Sequence, residues 1–271
     1  MSNNSGGARL TPKEELLRKM QELGVEPKRA LGQNFLISGH VISRIFDDVQ
    51  RERADLIIEI GPGLGALTES LIAMNGRRRL IELDRKYAKY WRERGEDIIE
   101  EDALRLNWYK LNLTAKTLLL SNLPYQISSR LVIDRSVGPS EIADMVLMFQ
   151  KEVAERLVAR PSTADYGFLS VVAQSFWSMR VVVDASAECF YPIPKVDSRV
   201  MGFKRKAVEG LDDKYVAFVK SAFQFRRKLL VKNLKTKEKQ LRPLLAEMGL
   251  SENARAEELS VQQFQDIYRR L

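Results

Sequence analysis

Residues 55–72, DLIIEIGPGLGALTESLI, change character halfway along. Leu56, Ile57, Ile58 and Ile60 form a short apolar run, the pattern of a strand buried on both faces. Glu59-Ile60-Gly61-Pro62-Gly63-Leu64-Gly65 then makes a glycine turn, where missing side chains let backbone approach a ligand closely. The spacing of Leu64, Leu67, Leu71 and Ile72 predicts a helix starting at about Leu64. A strand that enters a helix through such a turn is the first half of a βαβ unit, which predicts a parallel sheet.

Working outward, the alternation continues. Strand-like runs at 79–83, 97–100, 117–120 and 145–149 are separated by helical patterns such as the charged 85–94. Strand and helix in alternation, with nearly continuous apolar strands, predict an α/β fold whose sheet is covered on both faces. Two further β-rich runs, 180–184 and 198–203, are close enough in sequence to pair antiparallel at the sheet edge, and 149–157 and 166–176 read as helices packed on the sheet. Upstream, 11–23 predicts a short helix with Thr-Pro at its start and 23–36 a loop. In the helix predicted over 39–49, Val41, Ile42, Ile45, Phe46 and Val49 share one face. Beyond Lys206 only helical patterns remain. The expected division is a domain over 1–207, with an N-terminal extension over 1–37, and a small all-helical domain over 208–271.

Bulk properties exclude several classes. With 45% apolar residues and a mean hydropathy of -0.27, the chain is ordinarily globular, and no apolar run approaches the ~18 residues that span a bilayer. Its first residues, MSNNSGGARLTPKEELLRKM, lack the basic start and apolar block of a secretory signal, so a cytoplasmic protein with no membrane partner is expected. One cysteine, Cys189, excludes an internal disulfide; next to Phe190 it reads as a small buried filler. One histidine, His40, leaves no set for a zinc site or a Ser-His-Asp triad, and no metal is expected. A surplus of 44 Lys and Arg over 36 Asp and Glu, net +8, suggests a polyanionic partner. The surplus concentrates between Lys220 and Arg242, where nine basic residues meet one acid, Glu238. Such a stretch either grips phosphates or is a solvated helix face.

In a doubly wound sheet the ligand lies at the carboxyl ends of the strands, and chemistry-bearing residues follow each one. Glu82 ends the second strand, where a carboxylate can accept hydrogen bonds from both hydroxyls of a ribose. Glycines plus an acid about 20 residues on also fit a dinucleotide, but Gly61-x-Gly63-x-Gly65 with Pro62 inside departs from GxGxxG and favours S-adenosylmethionine. Asp102 follows the third strand and either accepts from an adenine amino group or caps a loop. The fourth strand ends in Asn122-Leu123-Pro124-Tyr125. Methylating an exocyclic amine requires its two N–H groups to be gripped while the lone pair is aimed at the methyl. The Asn122 side-chain oxygen and the Leu123 carbonyl are two acceptors that can do this, Pro124 fixes the turn, and Tyr125 supplies a flat face for an extruded base.

These motifs together resemble the rRNA adenine N6-dimethyltransferases of KsgA type. The likeness runs through GQNFL (32–36), EIGPGLGALT (59–68), IELDR (81–85), NLPYQIS (122–128), FQKEVAERL (149–157), YGFLSV (166–171), FYPIPKVDS (190–198) and FRRK (225–228), nearly the whole chain. It implies a Rossmann-like class I methyltransferase sheet with a small all-helical C-terminal domain. The implied protein is a monomer that uses S-adenosylmethionine to dimethylate two adjacent adenines of a small-subunit rRNA hairpin in the immature 30S particle. The family's cofactor positions fall on Gln33, Asn34, Leu36, Gly61, Glu82, Asp102 and Asn122. Its catalytic positions fall on Asn122, Leu123, Pro124 and Tyr125, with Phe190 as a second aromatic face over the target base. RNA binding is expected from Arg226, Arg227, Lys228 and Lys232. The chain departs from the family at Glu101, where Gly is usual, and at Gln126, where Asn is usual. The alternatives are the relative that methylates large-subunit rRNA and confers antibiotic resistance, and a non-catalytic RNA-binding factor of ribosome assembly.

Overall fold

The computed structural model describes residues 10–28 and 32–271; residues 1–9 and 29–31, within the expected N-terminal extension, lie outside the described residues. Helix α1 (Pro12–Leu23) opens on a capping box, in which Glu14 N–H donates to the Thr11 hydroxyl and Thr11 N–H to the Glu14 carboxylate. Gly24 stops it in the left-handed conformation. A two-residue strand β1 (Phe35–Leu36) and helix α2 (Gly39–Glu52) follow.

Seven strands then build the main sheet: β2 (Leu56–Ile60), β3 (Arg78–Glu82), β4 (Ile98–Glu100), β5 (Thr117–Ser121), β6 (Ile142–Gln150), β7 (Trp177–Ala185) and, after the short β8 (Phe190–Tyr191), β9 (Ser198–Arg205). Their order is β4-β3-β2-β5-β6-β9-β7. The first five are parallel; β9 runs antiparallel to β6, and β7 antiparallel to β9. β8 leaves the sheet to pair with β1, setting Leu36 opposite Phe190. The crossovers carry α3 (Thr68–Ala73), α4 (Arg85–Glu93), α5 (Tyr125–Ser136), α6 (Lys151–Leu157) and α7 (Phe168–Phe176), and the tail holds α8 (Asp213–Ala222), α9 (Leu230–Asn233), α10 (Glu238–Glu247) and α11 (Val261–Arg270).

One expectation changes. Helix α3 starts at Thr68, not near Leu64, because Gly61, Gly63 and Gly65 take φ of 69°, 51° and 96°, which a right-handed helix does not contain. Gly65 has a second reason to be glycine: a Cβ there would lie 2.9 Å from the Trp91 ring.

Two apolar layers cover the sheet. Val41, Ile45 and Val49 of α2 pack one face against Leu118, Leu120 and Val146. The other face belongs to a cluster that runs without a break from Leu119 and Met145 through Val172 of α7 to Tyr215, Leu241 and Phe264 of the tail. Polar contacts cross the same seam: the Tyr166 hydroxyl donates to the Leu259 carbonyl at 2.8 Å, and the Ser175 and Tyr215 hydroxyls meet at 2.7 Å. No helix among the described residues is long and apolar enough to cross a membrane.

Candidate functional site

Parallel strands all deliver their carboxyl ends to one side, and there β2, β3, β4 and β5 meet the segment leading into β1 around a cleft of about 180 Å³. Gln33, Asn34, Leu36, Gly61, Glu82, Asp102, Asn122, Leu123, Pro124 and Tyr125 all line it. The exception is Phe190. It is 1% exposed, packed with Leu36 and Val41 in the β1–β8 ribbon, and does not line the cleft.

Backbone amides hold Glu82. Gly63 N–H donates to Oε2 at 3.1 Å and Asp84 N–H to Oε1 at 2.8 Å, which fixes the carboxylate at the strand end. Burial pushes its pKa up to about 7, with those amide bonds opposing and the neighbouring Asp84 charge adding. Asp84 itself caps α4 by accepting from Lys86 N–H and pairs with Lys28 Nζ at 2.6 Å. Burial works to raise its pKa, but the Lys28 hydrogen bond and charge hold it below the usual carboxylate range. Lys28 thereby ties the segment after α1 to the strand that carries Glu82, and Lys28 N–H donates to Gln33 Oε1 at 2.8 Å.

Asn122 is oriented across the cleft. Its Nδ2 donates to the Asn34 carbonyl at 3.1 Å, which leaves Oδ1 as a free acceptor, and the adjacent Leu123 carbonyl has no donor among the described residues. Pro124, at φ -54° and ψ 127°, starts α5 and sets the Tyr125 ring at the mouth. The Tyr125 hydroxyl meets Ser198 Oγ at 2.8 Å, and burial raises its pKa. Asp102 does cap its loop, since Leu104 N–H donates to Oδ1 at 2.9 Å, while Oδ2 lies 3.7 Å from Nε of the exposed Arg105. Glu101 and Gln126 both stand exposed at the rim.

Two residues escaped the sequence reading. Glu59 is 2% exposed in β2, lines the cleft, and its Oε2 makes no hydrogen bond among the described residues; burial pushes its pKa up to about 8, with the nearby Thr68 hydroxyl opposing and the Glu82 charge adding. A lone acid in the apolar run LIIEI, one residue before the glycine turn, is the signal that marks it. Ser198 closes the FYPIPKVDS motif, but nothing in that stretch points to Tyr125; only the antiparallel return of β9 brings the two together.

The basic stretch is less free than its sequence suggests. Arg226 pairs with Glu257 at 2.6 Å and donates to the Thr163 carbonyl, tying the tail to the loop before α7. Lys232 and Arg242 share Glu238. Arg227 and Lys228 are exposed without an ion pair among the described residues.

The site fits a nucleoside-bearing cofactor. A Cβ on Gly61 would meet nothing within 4 Å, so the turn leaves open space beside the Glu82 carboxylate and the orphaned Glu59 oxygen.

The family described as "Ribosomal RNA adenine dimethylase" matches residues 25–271. A protein of Bdellovibrio bacteriovorus named "Ribosomal RNA small subunit methyltransferase A" is 48% identical over 265 residues, covering 95% of this chain and 97% of its own length. Its namesake in Sulfurihydrogenibium sp. is 38% identical over 253 residues, 90% and 96% of the two. Among solved structures, a dimethyladenosine transferase from Plasmodium falciparum shares the fold at a TM-score of 0.71 and 22% identity, over 86% of this chain and 95% of that one. The 23S rRNA methyltransferase ErmE superposes at 0.64 and 25% identity, over 88% and 99%.

Proposed function

Since the chain belongs to the ribosomal RNA adenine dimethylase family, we propose that it dimethylates the N6 amines of two adjacent adenines in the 3′-terminal hairpin of small-subunit rRNA. We further propose that it acts as a cytoplasmic monomer on the immature small subunit. Its sheet is the Rossmann-like sheet of a class I methyltransferase, and S-adenosylmethionine is the methyl donor. The 48% identity to a small-subunit enzyme, against 25% to the large-subunit one, supports the choice of RNA.

One observation carries the chemistry: Asn122 Nδ2 is committed to Asn34, so two oxygens at the cleft, Asn122 Oδ1 and the Leu123 carbonyl, have no donor among the described residues and are left to accept from one amine's two hydrogens. When bound, S-adenosylmethionine supplies a methyl on a positively charged sulfur, an electrophile that needs no further activation. Glu82 would accept from the ribose hydroxyls, and Asp102 would accept from the adenine amine. Asn122 and Leu123 turn the target nitrogen's lone pair out of its ring, and holding it aligned converts an encounter into an oriented transfer. Tyr125, braced by Ser198, stacks the extruded base and offsets its unstacking cost of a few kcal/mol.

Unmodified small-subunit and large-subunit particles incubated in parallel with labelled cofactor, followed by mapping of the methylated nucleotides, test this. Label at two adjacent adenines of the 3′-terminal hairpin is expected; label confined to large-subunit RNA, or none, overturns the proposal.

A further inference from the structure

Resting on S-adenosylmethionine as the donor and not on the choice of RNA, we propose that Glu59 is a specificity residue through which the cleft tells the charged cofactor from its spent form. The donor carries a sulfonium, whereas S-adenosylhomocysteine is neutral at sulfur. Transfer forms the N–C bond from the amine's lone pair and breaks the S–C bond, whose electrons neutralise the sulfur; the amine sheds one proton. The two ligands thus differ by one methyl and one positive charge, and their sugar and adenine contacts are shared.

Charge in the cleft is one-sided. Glu59, Glu82, Glu101 and Asp102 line it, and no Lys, Arg or His does so among the described residues, in a chain of net charge +8. A concavity of this kind focuses negative potential. Three of the four acids are engaged or screened. Glu82 accepts from two backbone amides, Asp102 caps its loop with Arg105 beside it, and Glu101 stands exposed at the rim, where salt weakens its field. Glu59 is flanked in the sheet by Leu80 and Leu120, is 2% exposed, and keeps Oε2 without a hydrogen bond among the described residues. Of the other groups nearby, Asp84 is paired with Lys28, burial holds the Tyr87 phenol protonated, and the Thr68 hydroxyl is uncharged.

A buried acid without a cation is the costly half of an ion pair. With a neutral thioether in the cleft Glu59 keeps its proton, in line with a pKa that burial pushes up to about 8. A sulfonium in the same space draws that proton off and is held by the carboxylate that results. Loss of the charge on transfer returns the proton and removes the attraction. Release of the spent cofactor is favoured each time, before the next methyl is delivered.

Calorimetric titrations of the full chain without RNA, using S-adenosylmethionine and S-adenosylhomocysteine in turn, read the ratio of the two affinities. In the parent the preference for the sulfonium ligand is expected to rise from pH 7 to pH 9, by at most about tenfold, because Glu59 titrates across that range. The effect of Glu82 on the shared ribose cancels in the ratio. Glu59→Gln keeps the shape without the charge and is expected to lower the preference roughly tenfold at pH 9. The ligands' own amines titrate in both proteins, so the variant's profile is the baseline for the parent's rise. Parent titrations in buffers of different ionisation enthalpy should also show more protons released with S-adenosylmethionine than with S-adenosylhomocysteine. Equal proton release overturns the proposal even without the variant. So does a Glu59→Gln protein that weakens both ligands alike, the mark of a contact to their common ribose or ammonium, and so does a larger fall in Glu101→Gln. With RNA absent, failure here leaves the RNA assignment standing, and a wrong RNA assignment leaves these ratios unchanged.

Discussion

Glu59 and Glu82 in the cleft are enclosed by backbone and apolar side chains, whereas Lys214, Lys228 and Lys235 in the tail stand in solvent with their charges unpaired among the described residues. In the first region burial moves the carboxyl pKa values up to about 8 and about 7, so protonation state depends on what occupies the cleft. In the second, neighbouring acids decide which cations remain available: Glu238 and Glu257 remove Lys232, Arg242 and Arg226 from the pool. A count of charges along the sequence therefore misjudges both regions, in opposite directions. It treats Glu59 as an ordinary anion and Arg226 as a free cation.

The contrast breaks most sharply at Asn122. Asn122→Ala removes one of two acceptors from a prearranged grip and is expected to lower kcat by roughly 100- to 1,000-fold, as for loss of a single preorganised polar group. Circular dichroism and the salt dependence of RNA binding should stay at the parent values. Full activity in single-turnover assays would return the NLPY turn to a purely structural part.

Next in size comes pH. An ionised carboxylate is the stronger acceptor for ribose hydroxyls, so with burial pushing the Glu82 pKa up to about 7 its contribution to S-adenosylmethionine affinity should grow from pH 6 to pH 8, by at most about tenfold. Stability of the cofactor-free protein runs the other way. Glu59 and Glu82 have folded pKa values raised above the ordinary 4.5, so the folded state favours their protonated forms and stability is lost as pH rises from about 4.5 through about 8. Calorimetric titration and thermal melts over that range check both signs; a melting temperature that climbs steadily from pH 5 to 8 contradicts them.

Ser198→Ala tests a smaller effect. Losing one hydroxyl contact to Tyr125 should cost about 1 kcal/mol, seen as roughly a fivefold fall in kcat/KM. In a Tyr125→Phe background the same change should cost much less, because its partner is already gone. Additive losses would mean that Ser198 acts elsewhere.

Smallest is Arg226→Gln. Its half-exposed ion pair to Glu257 is worth at most about 1 kcal/mol, so melting should shift by only a few degrees and the salt dependence of RNA binding should not move. A weaker salt dependence would place Arg226 back among the phosphate contacts.

Much of this architecture was legible in residues 55–72 and their echoes downstream, because a parallel sheet buried on both faces writes its strands as apolar runs and puts its chemistry at their ends. Glu82 ends a strand, Asp102 and Asn122 each follow one, and all three line the cleft. Helix starts were less legible: Leu64 and Leu67 keep helical spacing, yet three positive-φ glycines hold the chain out of a helix until Thr68. The packing of Phe190 was not legible either: a motif fixes its place in sequence but not which side of a two-residue strand it faces, and opposite Leu36 it turns inward. Long-range partners such as Ser198 with Tyr125 and Arg226 with Glu257 leave no trace in local spacing at all.

Because Tyr166, Tyr215 and Phe264 belong to the same apolar mass as the strands beneath, the tail is not a detachable cartridge. A cavity opened at Tyr215 or Phe264 is therefore felt in the packing of Val172 and Met145 as well, so tail and sheet melt together and not in two steps.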